Sequence, residues 1–187
     1  MILIIGLGNP EKKFEKTRHN LGFLALNELA KQNNFSPWQK NPKANCLYAK
    51  KTNGQEIELV KPLTHMNNSG KSVKYLVQKH KLKTENLIVV HDDIDLTLGK
   101  IKIVKNRGSA GHKGVESIIK ELKTKNFIRI RIGIQPITGK PNQPENFVLQ
   151  NFSPAEEKIV KETIKKTIEA IVLILKNGWQ KTQNIFN

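Results

Sequence analysis

The first 22 residues restrict the fold more than any other part of this chain. The run Met1–Leu7 is apolar and rich in isoleucine and leucine, and Gly6, Gly8 and Pro10 interrupt or follow it. A short apolar run bounded in this way is typical of a strand that is buried on both faces of a sheet. Pro10 has no N–H to donate, so the strand should end at about Asn9. Open α/β sheets bind their ligands at this carboxyl end of the strands, which makes Asn9 a candidate site residue.

The next segment predicts a helix over residues 17–32, with the sequence TRHN at its start. His19 would then lie near the strand end that carries Asn9, and histidine is the usual general base near neutral pH. The alternative is a histidine that merely begins a helix. The GLG triplet resembles the start of a dinucleotide-binding GxGxxG loop, but Glu11 occupies the position of the third glycine. A dinucleotide site is therefore not expected.

The rest of the chain alternates between strand and helix patterns. Asn53-Gly54 is a strong hairpin signal between two strand-like runs, and Ser153–Glu156 has the pattern of a capping box at the start of a long helix that Gly178 ends. Residues 33–45 and 137–143 are expected to be loops. Strands are predicted over 46–52, 55–62, 87–91, 100–104 and 127–134, and helices over 71–80 and 114–122.

This order of elements predicts an α/β fold. We expect a single domain over residues 1–187, built as a three-layer sandwich in which helices flank a mixed, mostly parallel central sheet. Within 127–134, Arg129 and Arg131 alternate with isoleucines. That alternation predicts a strand with one wetter face.

The composition excludes several classes of protein. The chain has 187 residues, 37% of them hydrophobic, and no apolar run approaches the roughly 18 residues that a membrane helix needs. The N-terminus lacks the basic start and small-residue cleavage site of a signal peptide. Cys46 is the one cysteine, so an internal disulfide and a cysteine-rich zinc site are both excluded. We therefore expect a cytoplasmic protein that does not enter a membrane.

The charge of the chain favours a polyanionic partner. Lysine and arginine number 32 against 16 acidic residues, which gives a formal net charge of +16. Nucleic acid is the usual partner of such a surface. The alternative is a surface that is merely rich in lysine. Aromatic residues make up only 6% of the chain, which argues against a platform that stacks single-stranded bases.

Polar residues follow two of the predicted strands, and these strand ends should lie side by side. Asn9 follows the first strand and Asp92 follows the strand over 87–91. His19 can reach the same edge. A carboxylate bonded to one imidazole nitrogen fixes the tautomer and leaves the other nitrogen as a base. Asp92 and His19 are therefore candidates for such a pair.

Other polar groups could complete this site. Asn67 offers an amide that both donates and accepts, while Gly111 and His112 offer backbone N–H groups and a second imidazole. No serine lies in a GxSxG turn, and Cys46 falls in the predicted hairpin. Histidine and aspartate without a nucleophile indicate activation of water, and hence hydrolysis. The alternatives are structural, with the aspartates ending a strand and Asn67 forming a turn. A metal site built on the aspartates and His91 is not favoured, because their spacing matches no familiar site.

Six motifs carry a resemblance to a known family. GLGNP, TRHNLG, MNNSG, HDDIDL, GHKG and FIRIRIGI occur in the order and spacing of the bacterial peptidyl-tRNA hydrolases, and the similarity covers the whole chain. The resemblance implies a monomeric α/β enzyme that cleaves the ester between a peptide and the 3′ end of tRNA, and so rescues stalled peptidyl-tRNA. It implies a partner bound through its acceptor stem and 3′ end, with no metal or cofactor.

The resemblance also implies a role for each matching position. His19 matches the general base and Asp92 the carboxylate that holds it. Asn9 matches the asparagine that distinguishes blocked from free aminoacyl-tRNA. Donors around Asn67 and the Gly111 backbone would stabilise the oxyanion. The remaining matches are a substrate-contacting role for Asn67, pocket positions for Met66 and His112, and a clamp on the tRNA 5′-phosphate formed by Arg131 with Lys102 or Lys105.

Several substrate-contact positions depart from the family pattern. Phe14 stands where tyrosine is usual, His65 where an aromatic residue precedes Met-Asn, and Lys113 where asparagine follows the second histidine. Glu11 also replaces the usual glycine after the proline. These departures bear on tRNA binding rather than on the reaction.

Two other functions are compatible with a fold of this kind. Members of this fold family serve as RNA-binding splicing factors without hydrolase activity, and basic charge would suit that role. The presence of Asn9, His19, Asn67 and Asp92 together favours the hydrolase. Nucleoside phosphorylases share a similar sheet topology, but no phosphate-binding loop supports that alternative.

Overall fold

A seven-stranded sheet forms the centre of the computed structural model, which describes residues 1–187 apart from the side chain of Asn53. The strands are β1 (Ile2–Gly6), β2 (Gln39–Asn41), β3 (Cys46–Asn53), β4 (Gln55–Pro62), β5 (Leu87–Thr97), β6 (Ile101–Lys105) and β7 (Ile128–Gln135). The helices are α1 (Leu21–Gln32), α2 (Ser69–Lys79), α3 (Lys113–Leu122), α4 (Pro144–Phe147), α5 (Pro154–Asn177) and α6 (Trp179–Phe186). Single 3₁₀ turns cover Lys12–Phe14, Arg18–Asn20, Met66–Asn68 and Thr84–Asn86.

The strands lie in the order β2-β3-β4-β1-β5-β7-β6. Strands β4, β1, β5 and β7 are parallel to one another. The pairings of β2 with β3, β3 with β4 and β6 with β7 are antiparallel. Ile5 on β1 pairs with Val89 on β5, so the carboxyl ends of these two strands meet at one edge. This register brings Asn9 and Asp92 to the same end of the sheet, as the sequence predicts.

Alternate residues of β1 fill two separate cores. Ile4 packs in the core that includes α1 and α5, whereas Leu3 and Ile5 pack in the core that includes α2 and α3. Parallel strands need such cover on both faces because their side chains are apolar on both sides. The predicted three-layer α/β sandwich with a mixed sheet is confirmed.

Gly22 allows helix α1 to pack directly on the backbone of the sheet. A Cβ at this position would lie 2.4 Å from both the nitrogen of Leu7 and the carbonyl oxygen of Val90. No side chain fits at such a distance. The glycine of the TRHNLG motif therefore places the start of α1, and the turn before it, against the ends of β1 and β5.

Several details differ from the sequence-based prediction. The predicted loop over 33–45 contains β2, which is only three residues long and pairs with β3. The last helix, α6, was not predicted. Strand β5 continues to Thr97, so Asp92 lies inside a strand rather than after it.

Arg129, expected on a wetter face, is 2% exposed, and its guanidinium donates to the carbonyl of Gly108 in the segment after β6. The predicted hairpin joins β3 to β4 at Gly54, although the side chain of Asn53 lies outside the described residues. Among the helices described, none combines the length and the apolar character needed to cross a membrane.

Candidate active site

His19 lies in the 3₁₀ turn between β1 and α1, with 8% of its surface exposed. Its Nδ1 lies 2.9 Å and 3.0 Å from the two carboxylate oxygens of Asp92 on β5. Asp92 is 2% exposed. A carboxylate in this position holds the proton on Nδ1 of His19 and leaves Nε2 as the basic nitrogen. The structure thus brings together the two residues that the sequence proposes as a base and its partner.

His112 supplies a second imidazole to the same carboxylate. Its Nε2 lies 2.9 Å from Oδ1 of Asp92. Its Nδ1 accepts hydrogen bonds from the backbone N–H groups of Gly114 and Val115, at 3.1 and 3.3 Å, and so caps α3. Because Nδ1 is an acceptor, the ring proton lies on Nε2 and is donated to Asp92. Asp92 therefore accepts from both imidazoles.

The pKa values of His19 and Asp92 are shifted in opposite directions, upward for the imidazole and downward for the carboxylate. Burial by itself lowers the pKa of His19, but the charge of Asp92 and the hydrogen bond to it outweigh that effect and raise the pKa above its ordinary value. Burial by itself raises the pKa of Asp92, but the adjacent imidazoles His19 and His112 hold it well below its usual range. Asp92 therefore stays ionised when His19 gains or loses a proton.

His91, which precedes Asp92, lies under this pair. Its Nδ1 donates to the backbone carbonyl of Asp92 at 2.7 Å, and its ring meets that of His112 edge-on at 4.7 Å. Burial, followed by the charges of His112 and Arg129, lowers the pKa of His91 well below its ordinary value. His91 is thus a neutral support beneath the site.

Asn9 is fixed in one orientation by its neighbours. Its side-chain oxygen accepts from the backbone N–H of Met66 at 3.1 Å. Its own backbone N–H and carbonyl bond to the side chain of Asn20, at 2.8 and 3.0 Å. The amide NH₂ of Asn9 is consequently presented as a donor. Asn20 was not predicted as a site residue, although it stands inside the TRHNLG motif next to His19.

Two adjoining cavities open above the pair of His19 and Asp92. Both are lined by His19, Lys113, Glu145 and Val148. One continues past Asn9 and the turn of residues 65–67, where Met66 is buried and His65 and Asn67 are exposed. The other continues past Asp92, Asp93 and residues 109–112. A ligand that fills both cavities would therefore lie between Asn9 and Gly111.

The remaining predicted contact residues occupy different places. Gly111 has a φ of +79°, and it lines the second cavity at an exposed turn. Lys113 is exposed at the start of α3, with its Nζ 4.0 Å from a carboxylate oxygen of Glu145. Phe14 is half-buried in the turn before His19 and lies under Nζ of Lys13, away from the residues that line the two cavities. The structure thus brings Gly111 and Lys113, but not Phe14, to the cavities.

A basic groove lies beyond the second cavity. Lys102, Lys105 and Arg131 line it together, and Ala110 belongs to both the groove and the cavity. The predicted clamp residues are therefore neighbours. Arg131 is held by an ion pair with Asp93. The groove also contains residues that the sequence analysis did not single out as site residues: Arg107, Gly108, Arg129, Trp179, Gln183 and Asn187.

Arg129 contributes to this groove from an enclosed position. Its Nη2 donates to the carbonyl of Gly108 at 2.7 Å, while its buried Nη1 has no hydrogen-bond partner among the described residues. Burial, followed by the neighbouring charge of Arg131, lowers the pKa of Arg129 to about 10. The guanidinium stays charged at neutral pH and adds positive potential to the groove.

The ligand atoms of His19, Asp92 and His112 lie within 4.8 Å of one another, which is close enough to consider a metal. Their hydrogen bonds do not suit one. Nε2 of His112 carries its proton because Nδ1 accepts from the helix start, so coordination through Nε2 would require an imidazolate. Asp92 accepts from two ring N–H groups.

A buried imidazole–carboxylate pair at the carboxyl edge of a mixed α/β sheet is the kind of site in which hydrolytic enzymes hold a general base. The sequence comparison specifies the family. A family model described as peptidyl-tRNA hydrolase matches residues 3–187. The chain belongs to the peptidyl-tRNA hydrolase family, and the function expected from its motifs is confirmed at that level.

Individual relatives agree with this assignment. A peptidyl-tRNA hydrolase of Thermodesulfovibrio yellowstonii is 46% identical, over 100% of this chain and 99% of its own length. One from Aquifex aeolicus is 45% identical, over 91% of this chain and 88% of its own length. The crystal structure of peptidyl-tRNA hydrolase from Acinetobacter baumannii is similar with a TM-score of 0.92 and 28% identity, and covers 100% of this chain and 94% of that one.

Proposed function

We propose that this chain hydrolyses the ester between a peptide and the 3′ end of tRNA, with His19 as general base. The observation that carries this proposal is the bond from Nδ1 of His19 to Asp92, at 2.9 Å, beneath a cavity that also contains the fixed amide of Asn9. The bond leaves one imidazole nitrogen free for a water molecule. The family to which the chain belongs supports peptidyl-tRNA as the substrate.

The reaction proceeds in two proton transfers. Nε2 of His19 takes a proton from water as the water oxygen bonds to the ester carbonyl carbon. The resulting imidazolium is stabilised by the adjacent carboxylate of Asp92. When the bond to the ribose oxygen breaks, that oxygen takes the proton from His19, and free tRNA and a carboxylic acid leave. General-base catalysis of this kind contributes at least about 10²-fold in rate.

Donors near the cavity suit the charge that develops on the carbonyl oxygen. Asn67 stands in the exposed turn after Met66, and the backbone of Gly111 lines the second cavity. One such donor is worth about 3–4 kcal/mol in comparable sites. The NH₂ group of Asn9 is directed to the peptide carbonyl of a blocked substrate. A free aminoacyl-tRNA has no such carbonyl, which gives the enzyme a basis for choosing peptidyl-tRNA.

The basic groove receives the tRNA. Lys102, Lys105 and Arg131 surround a concave surface that meets the cavity at Ala110. A phosphate of the acceptor stem would lie between these cations. A formal net charge of +16 supports binding through the tRNA backbone.

The proposal includes three properties of the whole protein. The reaction needs no metal, because the protons of the two imidazoles are already directed to Asp92. The protein acts as a monomer, a single domain over residues 1–187, in the cytoplasm where its tRNA substrate is made. Dialysis against a chelator should leave kcat unchanged, and sedimentation should give the mass of one chain.

One assay separates hydrolysis from RNA binding without catalysis. N-acetyl-aminoacyl-tRNA and the same tRNA with a free amino group are compared as substrates of the unchanged protein. We expect release of tRNA from the blocked substrate and little from the free one. Binding without turnover of the blocked substrate would contradict the proposal and support a splicing-factor type of role.

A further inference from the structure

Arg18 lies directly before His19, and its side chain is almost entirely enclosed, with 6% of its surface exposed. Its Nη2 donates to both carboxylate oxygens of Glu156, at 2.9 and 2.8 Å. Its Nη1 donates to the backbone carbonyls of Gln150 and Asn151, at 3.2 and 2.5 Å. One guanidinium thus joins the turn that carries the base to a segment far along the chain.

Two aromatic rings enclose the same guanidinium. The ring centre of Phe147 lies 4.2 Å from its Cζ, and that of Phe152 lies 4.9 Å away. A planar, delocalised cation can stack on such rings while its edge donates in a fixed fork. A lysine in place of Arg18 could do neither. The contacts therefore use properties that are specific to arginine.

The segment that Arg18 holds is also a wall of the substrate cavity. Val148 and Leu149 line the cavity that contains Asn9 and His19. The backbone N–H of His19 donates to the carbonyl of Val148 at 2.8 Å. A further bridge joins Thr17 to Asn151. Movement of this segment would change both the shape of the cavity and the placement of the base.

Glu156 is itself held in place by the start of helix α5. Its carboxylate accepts from the backbone N–H of Ser153 at 2.7 Å, while the Ser153 hydroxyl accepts from the N–H of Glu156 at 3.4 Å. Burial would raise the pKa of Glu156, but the bonds from Ser153 and Arg18 lower it below its ordinary value. The carboxylate is consequently ionised and directed towards Arg18.

From these contacts we infer that Arg18 and Glu156 are positioning residues for the reaction. Their ion pair fixes segment 147–152 against the turn that carries His19. The positions of the cavity wall and of the base relative to each other are thereby held constant. Neither side chain touches the reacting atoms. The inference rests on the proposed function, since it assigns the pair a part in that hydrolysis.

The test compares Glu156→Gln with Ser153→Ala. Glutamine can still cap the helix but cannot offer two anionic oxygens to Arg18, whereas Ser153→Ala weakens the cap and keeps the ion pair. Hydrogen exchange of the His19 amide reports whether the turn stays docked, independently of activity. Arg18→Lys is a second variant of the pair, and kcat and KM are measured for all three.

We expect the His19 amide of Glu156→Gln to exchange at least about 10-fold faster than in the parent, with amides of β5 unchanged. Its kcat should fall about 10-fold, because small displacements of a catalytic group are costly. Arg18→Lys should do the same, and Ser153→Ala should lose thermal stability only.

Two results would overturn the inference. One is a Glu156→Gln variant with parental exchange of the His19 amide and parental kcat. The other is an equal loss of kcat in Ser153→Ala, which would assign the effect to the helix cap. Absence of turnover in the parent would contradict the proposed function instead, and the exchange data would still decide whether the pair docks the turn.

Discussion

The carboxylate of Asp92 lies 2.9 Å from Nδ1 of His19, although the two residues are 73 positions apart in the chain. They meet because β1 and β5 are parallel neighbours whose carboxyl ends coincide. The contact fixes the tautomer of His19 and raises its pKa, despite a burial that acts in the opposite direction. The proposed base and its carboxylate partner are therefore brought together by the pairing of β1 with β5.

Replacing Asp92 with asparagine should weaken both effects of the carboxylate on His19, the orientation of its ring and the rise in its pKa. An amide carries no negative charge, and its NH₂ group replaces one of the two carboxylate oxygens that accept from His19 and His112. We expect kcat to fall by at least about 10-fold and the acidic limb of its pH profile to move to lower pH, because the pKa of His19 is no longer raised. A profile measured from pH 5 to 9 checks this. An unchanged acidic limb would mean that the two residues are not coupled.

The raised pKa of His19 also makes a prediction about stability. A group whose pKa is higher in the folded state stabilises that state fully below its unfolded pKa of about 6.5, and the contribution is lost as pH rises through the folded value. Asp92 stays ionised throughout this range because its pKa is well below normal. The free energy of unfolding of the parent, relative to His19→Gln, should therefore be larger at pH 5.5 than at pH 8.5. Urea titrations measure it, and an equal difference at both pH values would contradict the shift.

The parts of the site that could be predicted share one property. Asn9 and Asp92 follow the apolar runs of β1 and β5, and His19 begins the next helical segment after β1. The rule that parallel strands present their carboxyl ends together was enough to group them. The central strands were likewise predictable, since short continuous apolar runs are typical of strands that are buried on both faces of a sheet. Strand β2 was not, because three residues with an exposed side carry too little pattern to recognise.

The parts that could not be predicted depend on distant partners. Arg18 contacts Glu156 across 138 positions, and nothing local distinguishes it from a surface arginine. Asn20 acts through the backbone of Asn9, a contact that exists only after the turn has packed. Arg129 alternates with isoleucine as an exposed residue would, yet the outer strand and Gly108 enclose it.

The basic groove predicts a specific dependence on salt. Arg131 forms an ion pair with Asp93, so replacing it would also leave that carboxylate without its partner. Lys102 is exposed, and Lys102→Ala therefore tests the groove without breaking this ion pair. We expect its KM to rise, and the slope of log KM against log salt to fall by about one unit, because one phosphate contact is lost. Its kcat should stay near that of the parent. The control is Lys31→Ala, an exposed lysine on α1, and equal effects of both variants would indicate a general effect of a lysine-rich surface.

Lys113 is the departure closest to the reacting groups. Its ammonium is exposed and lies 4.0 Å from Glu145, so it is placed to meet a phosphate rather than to accept a proton. Lys113→Asn should keep kcat within about 3-fold, a change of less than 1 kcal/mol, and reduce the salt dependence of KM. Lys113→Glu should weaken tRNA binding much more. If Lys113→Asn loses most of kcat while circular dichroism shows an intact fold, the lysine has a direct catalytic role.

The most direct test of the account is the turnover of N-acetyl-aminoacyl-tRNA by His19→Ala, measured beside the parent and His80→Ala. His80 is a second histidine, at the end of α2 and outside the residues that line the active-site cavities. We predict that His19→Ala loses at least about 10²-fold in kcat with its fold intact, because the variant lacks the Nε2 that takes the proton from water in this mechanism. His80→Ala should retain kcat. A folded His19→Ala variant with near-parental turnover would contradict the central claim that His19 activates water.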